Sequence, residues 1–407
     1  HLDGLRGIIV LSSFFWTFFA TFIPRIIYPG HNASTGMSVV RIVLSSWAWN
    51  ASLIASFFFV LSARSICILF LTNPTPISLS GTVIRRIIRM AIAVSIASGL
   101  SMAIFAGLGV HYIEKFKERR PNDSLPAPDV PDSALVAFNS MFGIFWVVRS
   151  YFWQAANKFW PTNTLWSVSL IFQQSWTVYF LMVVLPYVRP TWHRPYIFMF
   201  ALGAWWMASW GFYDAAALLL ASYMINPVLK KRLEEGVEIT EHWKVPVKIP
   251  AAGMLLAGLI FKVIWSVWPH YANKELILHP HLDIYENMTL KDFVMDDPLP
   301  RLDNFLVIFG LLLVVETTAG AQRVLSARWL TAIGRRSLSI FVAQSLVLWT
   351  AGIKLYLHLT ENGTSSALAN FAVFVVGAIT TIAATELYYR AIDRPSQKLA
   401  AKAFEWL

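Results

Sequence analysis

The sequence predicts an all-α protein, a polytopic bundle of about ten transmembrane helices with both termini on the cytoplasmic side. Of the 407 residues, 57% are hydrophobic and only 14% are charged, and the mean hydropathy is +0.56. Several apolar runs are long enough to cross a hydrocarbon core of about 30 Å. Lysines and arginines collect between these runs, as is typical of segments that face the cytoplasm. We therefore expect an integral, multi-pass membrane protein whose main partner is the lipid bilayer.

The predicted spans are the apolar runs with few charges, taken in chain order. They lie near residues 7–24, 43–71, 90–110, 165–187, 196–212, 213–229, 249–268, 302–320, 337–357 and 367–389. A further apolar stretch at 134–153 is interrupted by Asn139 and Arg149. Its aromatic residues suit an interfacial amphipathic helix, so we do not count it as a span.

The distribution of basic residues predicts the orientation. Arg85 to Arg89, Lys230 to Arg232, Arg323 to Arg336 and Arg390 to Lys402 are all assigned to the cytoplasm. Only an even number of spans, ten, fits that assignment. The segments 110–164 and 269–301 then become external loops of a single domain that covers residues 1–407.

Glycosylation sequons agree with this orientation. Asn32, Asn122, Asn287 and Asn362 are each followed by the Asn-x-Ser/Thr pattern and fall in loops assigned to the external side. A further match at Asn50 lies inside or against the second span. We predict a glycoprotein of a eukaryotic secretory-pathway or plasma membrane.

Composition also excludes several functions. The formal charge of +10 would suggest nucleic-acid binding in a soluble chain, but here the basic residues orient helices, so we exclude nucleic acid as a partner. The single cysteine, Cys67, excludes an internal disulfide framework and a multi-cysteine metal site. We predict no bound metal, since His279 and His281 alone in a loop make a poor ligand set. Lys262 and Lys354, near outer span ends, are expected to snorkel to the interface.

The ionisable residues within the spans are the main clue to function, because they lie toward the cytoplasmic ends. They are Arg6, Arg64, Arg85, Arg86, Arg89, Glu316, Glu386 and Arg390. Arginines gathered at one end of a bundle can bind a phosphorylated cofactor through bidentate bonds. Alternatively, they are orientation charges, with the two glutamates as intramembrane partners. For Arg6 this alternative is that Asp3 caps the first helix, Gly4 and Gly7 allow close packing, and the arginine is an anchor.

Short motifs spread along the chain resemble the membrane acyltransferase type-3 family. The motifs are Leu2-Asp3-Gly4-Leu5-Arg6-Gly7, Phe58-Phe59-Val60-Leu61-Ser62, Arg85-Arg86-x-x-Arg89, Leu165-Trp166-Ser167-Val168, Gly334-x-x-Ser337-x-Ser339 and Asp393-Arg394-Pro395. The resemblance implies transfer of an acyl group from acyl-coenzyme A to a hydroxyl of a glycan, lipid, peptide or small molecule. Acyl-coenzyme A is then a co-substrate, and no resident cofactor is expected. Its binding is assigned to Arg6, Arg64, Arg85, Arg86 and Arg89.

The chain departs from that family pattern at three positions. Thr17 and Gln344 stand where the family usually has histidines, and Ile171 where it has a glutamate. Acyl transfer to an alcohol needs a general base, and neither an amide nor a hydroxyl can act as one. We name Arg6, Thr17, Gln344 and Glu386 as catalytic residues of an acyltransferase whose base is Glu386, Glu316 or a loop histidine such as His111. The alternative is a catalytically degenerate protein that binds or transports acyl-lipid or acyl-coenzyme A without turnover.

Overall fold

The structure, a computed structural model, is 84% helical and contains almost no strand, which confirms an all-α membrane protein. It describes residues 1–28, 35–119, 126–240, 243–269, 271–272, 275 and 298–406. Three of the predicted glycosylation sites, Asn32, Asn122 and Asn287, and most of the predicted external loop 269–301 lie outside these ranges.

The helices follow the apolar runs of the sequence, with short connections. In chain order they are α1 (Leu2–Phe22), α2 (Thr35–Val40), α3 (Ala51–Thr72), α4 (Pro76–Leu108), α5 (His111–Arg119), α6 (Ala134–Trp146), α7 (Ala155–Lys158), α8 (Trp166–Val184), α9 (His193–Trp206), α10 (Gly211–Ile225), α11 (Pro227–Glu235), α12 (Lys248–Val267), α13 (Leu302–Thr317), α14 (Ala319–Leu325), α15 (Arg328–Arg335), α16 (Ser337–Val347), α17 (Ile353–Glu361), α18 (Ser366–Tyr388) and α19 (Arg394–Trp406). A short antiparallel hairpin joins β1 (Val237–Thr240) to β2 (Trp243–Val245). Turns of π-helix connect α16 to α17 and α18 to α19.

The predicted number of ten spans is not confirmed. In the described part of the chain, seven helices are long and apolar enough to cross a membrane, or nine if each of two bent helix pairs counts as one span. The predicted span 196–212 is not among these candidates, because α9 has 14 residues, or about 21 Å, which is shorter than the hydrocarbon core. The cytoplasmic location of both termini stays a prediction.

Local sequence explains the first bent pair, in which α10 and α11 meet at 94°. Pro227 occupies the first position of α11, where its missing N–H costs no hydrogen bond. The Asn226 side chain caps the new helix by accepting from Val228 N and Leu229 N. The apolar run 213–229 is therefore divided between two helices. The other bent pair, α13 and α14, meets at 102°.

Two compact units make up the structure, and each is described by itself. Unit 1 contains His1–Arg6, Ile42–Val83 and Ile171–Thr331, and unit 2 contains Gly7–Arg41, Ile84–Leu170 and Ala332–Leu407. In unit 1, α10 packs on α3 and α9, and α12 packs along α13. In unit 2, α18 packs on α16 and α17.

Glycines allow the close approach of α12 and α13 in unit 1. A Cβ on Gly258 would lie 2.8 Å from Val307 N, and one on Gly310 would lie 2.7 Å from Leu255 N. Small residues of this kind let helix backbones pack closely in lipid. Gly4 of α1 makes a similar approach, since its Cβ would overlap the Leu325 carbonyl, and this confirms the packing role predicted for it.

We expect Gly310→Ala to destabilise the protein by about 1–3 kcal/mol, because the added methyl group must push the α12 backbone away. The measurement is the thermal unfolding temperature of the purified protein in detergent. Gly253→Ala on α12 is the matched control, since nothing lies within 4 Å of its added Cβ. Equal unfolding temperatures for Gly310→Ala and the control would show that the helices are not in this close contact.

Aromatic side chains form much of the core of unit 2. Phe14 and Phe18 of α1 contact Phe374 of α18, with ring centroids 6.1 and 5.2 Å apart. Phe22 contacts Phe116 and Tyr356, at 5.6 and 6.1 Å. These contacts hold α1 against α18, α17 and α5.

Asn362 and Lys402 give a direct test of orientation, because they lie at opposite ends of the long helix that begins at Ser366 and ends at Trp406. In a background in which the buried Cys67 is replaced by alanine, we expect a membrane-impermeant maleimide to label an Asn362→Cys variant in intact cells and to spare a Lys402→Cys variant. Permeabilised cells, in which both variants react, are the control. Labelling of only the Lys402→Cys variant in intact cells would reverse the predicted orientation. Glycosylation and a secretory-pathway membrane stay predictions.

Candidate functional site

A buried amide in unit 2 holds two hydroxyl groups in place. The Gln344 Nε2 of α16 donates to Ser13 Oγ at 2.7 Å and to Thr17 Oγ1 at 3.3 Å, both on α1. All three side chains are at least 95% buried. The structure thus brings together Thr17 and Gln344, two of the predicted catalytic residues, which are 327 positions apart in sequence.

Helical spacing explains why α1 presents a row of hydroxyls. Ser13, Thr17 and Thr21 are four residues apart and share one face. Both threonine hydroxyls donate to backbone carbonyls one turn earlier, at 2.9 Å for Thr17 and 2.8 Å for Thr21. Trp349 Nε1 donates to Thr21 Oγ1 at 3.1 Å. This side of α1 is therefore polar although it is buried.

More hydroxyls lie beside Gln344. Ser345, the next residue on α16, is 3.1 Å from Thr162 through their hydroxyl oxygens, and Thr162 is 2.7 Å from Thr164. Asn157 fixes the start of the following helix by accepting from Trp166 N at 3.0 Å. The segment before α8 thus contributes polar side chains to the interior of unit 2.

Buried acceptors and donors on α16 and α18 have no hydrogen-bond partner among the described residues. These atoms are Gln344 Oε1, Thr381 Oγ1, Thr385 Oγ1 and, near the start of α18, Asn370 Oδ1. Gly377, one turn before Thr381, packs on Leu348, one turn after Gln344. Because α16 and α18 run in opposite directions, this contact places Thr381 at the level of Gln344. We call Ser13, Thr17, Gln344, Thr381 and Thr385 the polar row.

Polar groups left without partners in a buried site cost free energy, so a row of them indicates a place for hydrogen-bonding molecules. A ligand with hydroxyl groups suits both a carboxamide oxygen and threonine hydroxyls, because a hydroxyl donates one hydrogen bond and accepts two.

Glu386 follows Thr385 in the sequence of α18. Its carboxylate accepts from Arg336 Nε at 2.9 Å and from Arg390 Nε at 2.6 Å. The Arg336 guanidinium also lies 4.7 Å from the centre of the Tyr389 ring. Glu386 is only half-buried, so a proton could reach it, but it must first give up one of its arginine partners.

Of the predicted cofactor-binding arginines, Arg89 and Arg85 are held by α19 and the turn before it. Arg89 donates to Asp393 at 3.2 Å, and the Arg85 guanidinium lies 5.0 Å from the centre of the Phe404 ring. Asp393 is fully buried and also accepts from Ser339 Oγ at 3.3 Å. Three of the sequence motifs, those of Arg89, Ser339 and Asp393, therefore meet in unit 2.

Arg86 also lies in unit 2, whereas the remaining two predicted cofactor-binding arginines lie in unit 1. Arg64 is 99% buried and makes a bidentate pair with Glu316, at 3.2 and 2.5 Å. Arg6 donates to Asp3 at 3.2 Å, to the Leu61 carbonyl at 3.4 Å and to Ser65 Oγ at 2.9 Å. The Arg64 Nη1 is buried without a hydrogen-bond partner among the described residues, so it is the one nitrogen of this guanidinium that could bind a phosphate without displacing the carboxylate.

Sequence reasoning missed a buried charged cluster in unit 1. Lys262 of α12 is 2.9 Å from Asp303 and also donates to Asn304, both on α13. Lys262 is 96% buried, so the prediction that it snorkels was wrong, because a carboxylate one helix away replaces the interface as its partner. The pair Asp303-Asn304 at the start of an apolar run was the signal that could have indicated a partner for it.

Further polar groups extend this cluster beyond the spans. Arg301 is 3.2 Å from Asp303 and 3.3 Å from Glu275. Burial raises the pKa of the Glu275 carboxyl, an effect that Arg301 opposes. Asn304 donates to Ser52 and Ser56 of α3 at 2.9 and 3.1 Å. Every charge of the cluster is paired, so it ties α3, α12 and α13 together.

A family model described as OpgC protein matches residues 229–391, which is less than half of the chain. No curated protein and no solved structure matches the chain. OpgC is a different family from acyltransferase type 3, so the resemblance inferred from the short motifs was wrong. Each of those motifs is only a few residues long, whereas the matched segment is continuous from α11 to the turn after α18. The OpgC family is associated with membrane-linked acyl or succinyl modification of glucans, which is consistent with a function of the acyltransferase type.

Proposed function

We propose that this protein is an integral-membrane transferase that esterifies a hydroxyl of a glucan with an acyl or succinyl group. The OpgC match carries the proposal, because the matched segment includes Gln344, Thr381, Thr385 and Glu386. The partnerless polar atoms of the row supply a reason within the structure, since a glucan presents many hydroxyls that could bind there.

The chemistry assigns a role to each part of the row. The oxygen of the glucan hydroxyl forms a bond to the acyl carbon, the carbon–sulfur bond of a thioester donor breaks, and the thiolate leaves. The Gln344 Oε1 accepts the hydrogen bond of the attacking hydroxyl and so orients it. Its Nε2 fixes Ser13 and Thr17, whose hydroxyls contact the reacting group.

Glu386 is the proposed general base. Its residue directly follows Thr385 of the polar row in sequence, and each of its carboxylate oxygens is already hydrogen-bonded to an arginine. When the donor's phosphates draw one arginine away, the released oxygen can accept the proton of the hydroxyl. The proton then passes to the departing thiolate.

We also propose acyl-coenzyme A or succinyl-coenzyme A as the donor. Support comes from Arg85, Arg86 and Arg89, since arginine and phosphate form strong, often bidentate, hydrogen bonds. Arg6 and Arg64 stay proposed donor-binding residues in unit 1.

A second function is binding or transport of the acyl donor without turnover. It is favoured by the pairing of Glu316 and Glu386 with arginines, and by the positions of the described histidines. Among them, His1 precedes α1, and His111, His193 and His358 all lie in the first or last turn of a helix. The described spans therefore contain no histidine base in their central turns.

The experiment is incubation of purified protein in lipid nanodiscs with succinyl-coenzyme A, labelled in the succinyl group, and a β-glucan. We expect label to enter the glucan only when both protein and glucan are present. Donor binding without transfer would favour the second function. If the protein showed neither donor binding nor transfer, both functions would be excluded.

A further inference from the structure

The helix that contains α18 and α19 is longer than a membrane requires. It runs from Ser366 to Trp406 without a break, and its 41 residues measure about 62 Å, twice a hydrocarbon core of about 30 Å. The apolar part ends at Tyr388. The remaining residues, with a turn of π-helix and α19, extend the helix beyond the bilayer.

α4 lies beside this extension. It has 33 residues, or about 50 Å, and its apolar part begins after Arg89. Tyr388 donates to the Ala93 carbonyl at 2.5 Å, where both helices leave the apolar layer. Further out, the contacts of Arg89 with Asp393 and of Arg85 with Phe404 continue the pairing. We call residues 84–89 of α4 together with α19 the two-helix projection.

The two-helix projection is strongly basic. Arg394, Lys398 and Lys402 are spaced four residues apart, so they form one exposed stripe along α19. The facing part of α4 adds Arg85, Arg86 and Arg89. The acidic residues beside these six cations are Glu405 and the buried Asp393. Asp393 is already contacted by Arg89, Ser339 and Gln397.

Distance separates this stripe from the lipid headgroups. Lys398 and Lys402 follow Tyr388 by 10 and 14 residues, which is about 15 and 21 Å along the helix axis. The headgroup layer is only about 5–8 Å thick on each side. The positive-inside rule, which counts basic residues within about 15–20 residues of a span, orients these cations, but at this distance they are too far from the headgroups for direct contact.

We propose that the two-helix projection binds the phosphorylated nucleotide end of a coenzyme A thioester. The inference rests on the proposed function, whose donor it locates. The nucleotide end carries a pyrophosphate and a 3′-phosphate, and the stripe offers cations one helical turn apart. The Arg85 guanidinium packs on the Phe404 ring at 5.0 Å from its centre, which keeps this phosphate-binding side chain against α19. The thioester arm then points toward Glu386 and the polar row.

The test compares two triple neutralisations in neutral detergent. One variant carries Arg394→Gln, Lys398→Gln and Lys402→Gln. The control carries Lys230→Gln, Lys231→Gln and Arg232→Gln, which remove the same charge from α11. Isothermal titration measures binding of coenzyme A, of adenosine 3′,5′-bisphosphate and of pantetheine, which lacks the nucleotide.

We expect the α19 variant to bind coenzyme A and the bisphosphate roughly 10- to 100-fold more weakly than the wild type, since three exposed charge contacts are lost. The control should change less than about 3-fold, and added salt should weaken the wild-type binding. Equal affinity of the wild type and the α19 variant for coenzyme A would overturn the inference, as would absence of wild-type binding. If the α19 variant bound phosphatidylglycerol-containing nanodiscs more weakly than the wild type but bound coenzyme A equally well, the inference would be overturned in favour of lipid binding.

Transfer from succinyl-pantetheine separates this inference from the proposed function. That donor has no nucleotide, so the α19 variant and the wild type should use it equally. Transfer from succinyl-pantetheine without coenzyme A binding would leave the proposed function standing and remove the nucleotide site. Coenzyme A binding to the projection without transfer from either donor would leave the nucleotide site standing and remove the proposed function.

Discussion

Removal of the Glu316 carboxylate is expected to destabilise the protein by about 3–5 kcal/mol, because the Arg64 guanidinium would stay buried without its charge partner. Both side chains are almost fully buried, so the Arg64 guanidinium is shielded from bulk water. Glu316→Ala and Arg64→Ala should be similarly harmful. The double variant Arg64→Leu with Glu316→Leu should recover most of the loss, since two apolar side chains need no partner.

Thermal unfolding of detergent-purified variants measures this effect, and the amount of folded protein in membranes measures it where purification fails. Arg390→Ala is the matched control, because that arginine pairs with Glu386 on the surface and should contribute less than about 1 kcal/mol. Single variants as stable as the wild type would show that the Arg64–Glu316 pair is not buried. The stable double variant also measures whether Arg64 contributes to donor binding.

Gln344→Leu is expected to lower the rate of transfer to the glucan by roughly 100-fold. The leucine can neither hold Ser13 and Thr17 nor accept a hydrogen bond from the attacking hydroxyl. The change leaves a similar volume in the core, so the unfolding temperature should fall only modestly. Initial rates with saturating donor, measured against glucan concentration, separate poor orientation from poor binding.

Ser345→Ala is the control for this variant, because it removes a buried polar group from the neighbouring position, which bonds to Thr162 instead. We expect a loss of activity below about 5-fold for it. If Gln344→Leu and Ser345→Ala had equal activity and stability, the polar row would have no part in the reaction.

The fold class follows from the apolar runs, but the number of spans does not. Runs such as 51–72 form one helix because nothing interrupts their hydrogen bonding. The run 213–229 is broken because Asn226 caps a new helix and Pro227 starts it, which ends one helix and turns the next. Local capping therefore outweighs hydropathy at such a position.

The candidate site was predicted only in part. Thr17, Gln344 and Glu386 were named from the sequence, and the structure brings Thr17 and Gln344 together. Thr381 and Thr385 were not named from the sequence. Threonine hydroxyls in an apolar helix usually bond to a carbonyl of their own helix, and the sequence does not distinguish these two from the usual case. The alternative that Glu316 and Glu386 pair with arginines is what the structure shows.

The most direct test of the proposed function is mass spectrometry of the glucan after reaction with isotope-labelled succinyl-coenzyme A. We expect a labelled ester on a glucan hydroxyl, formed by the wild type and strongly reduced with Gln344→Leu. Unmodified glucan after complete reaction conditions, with folded protein that binds the donor, would contradict it.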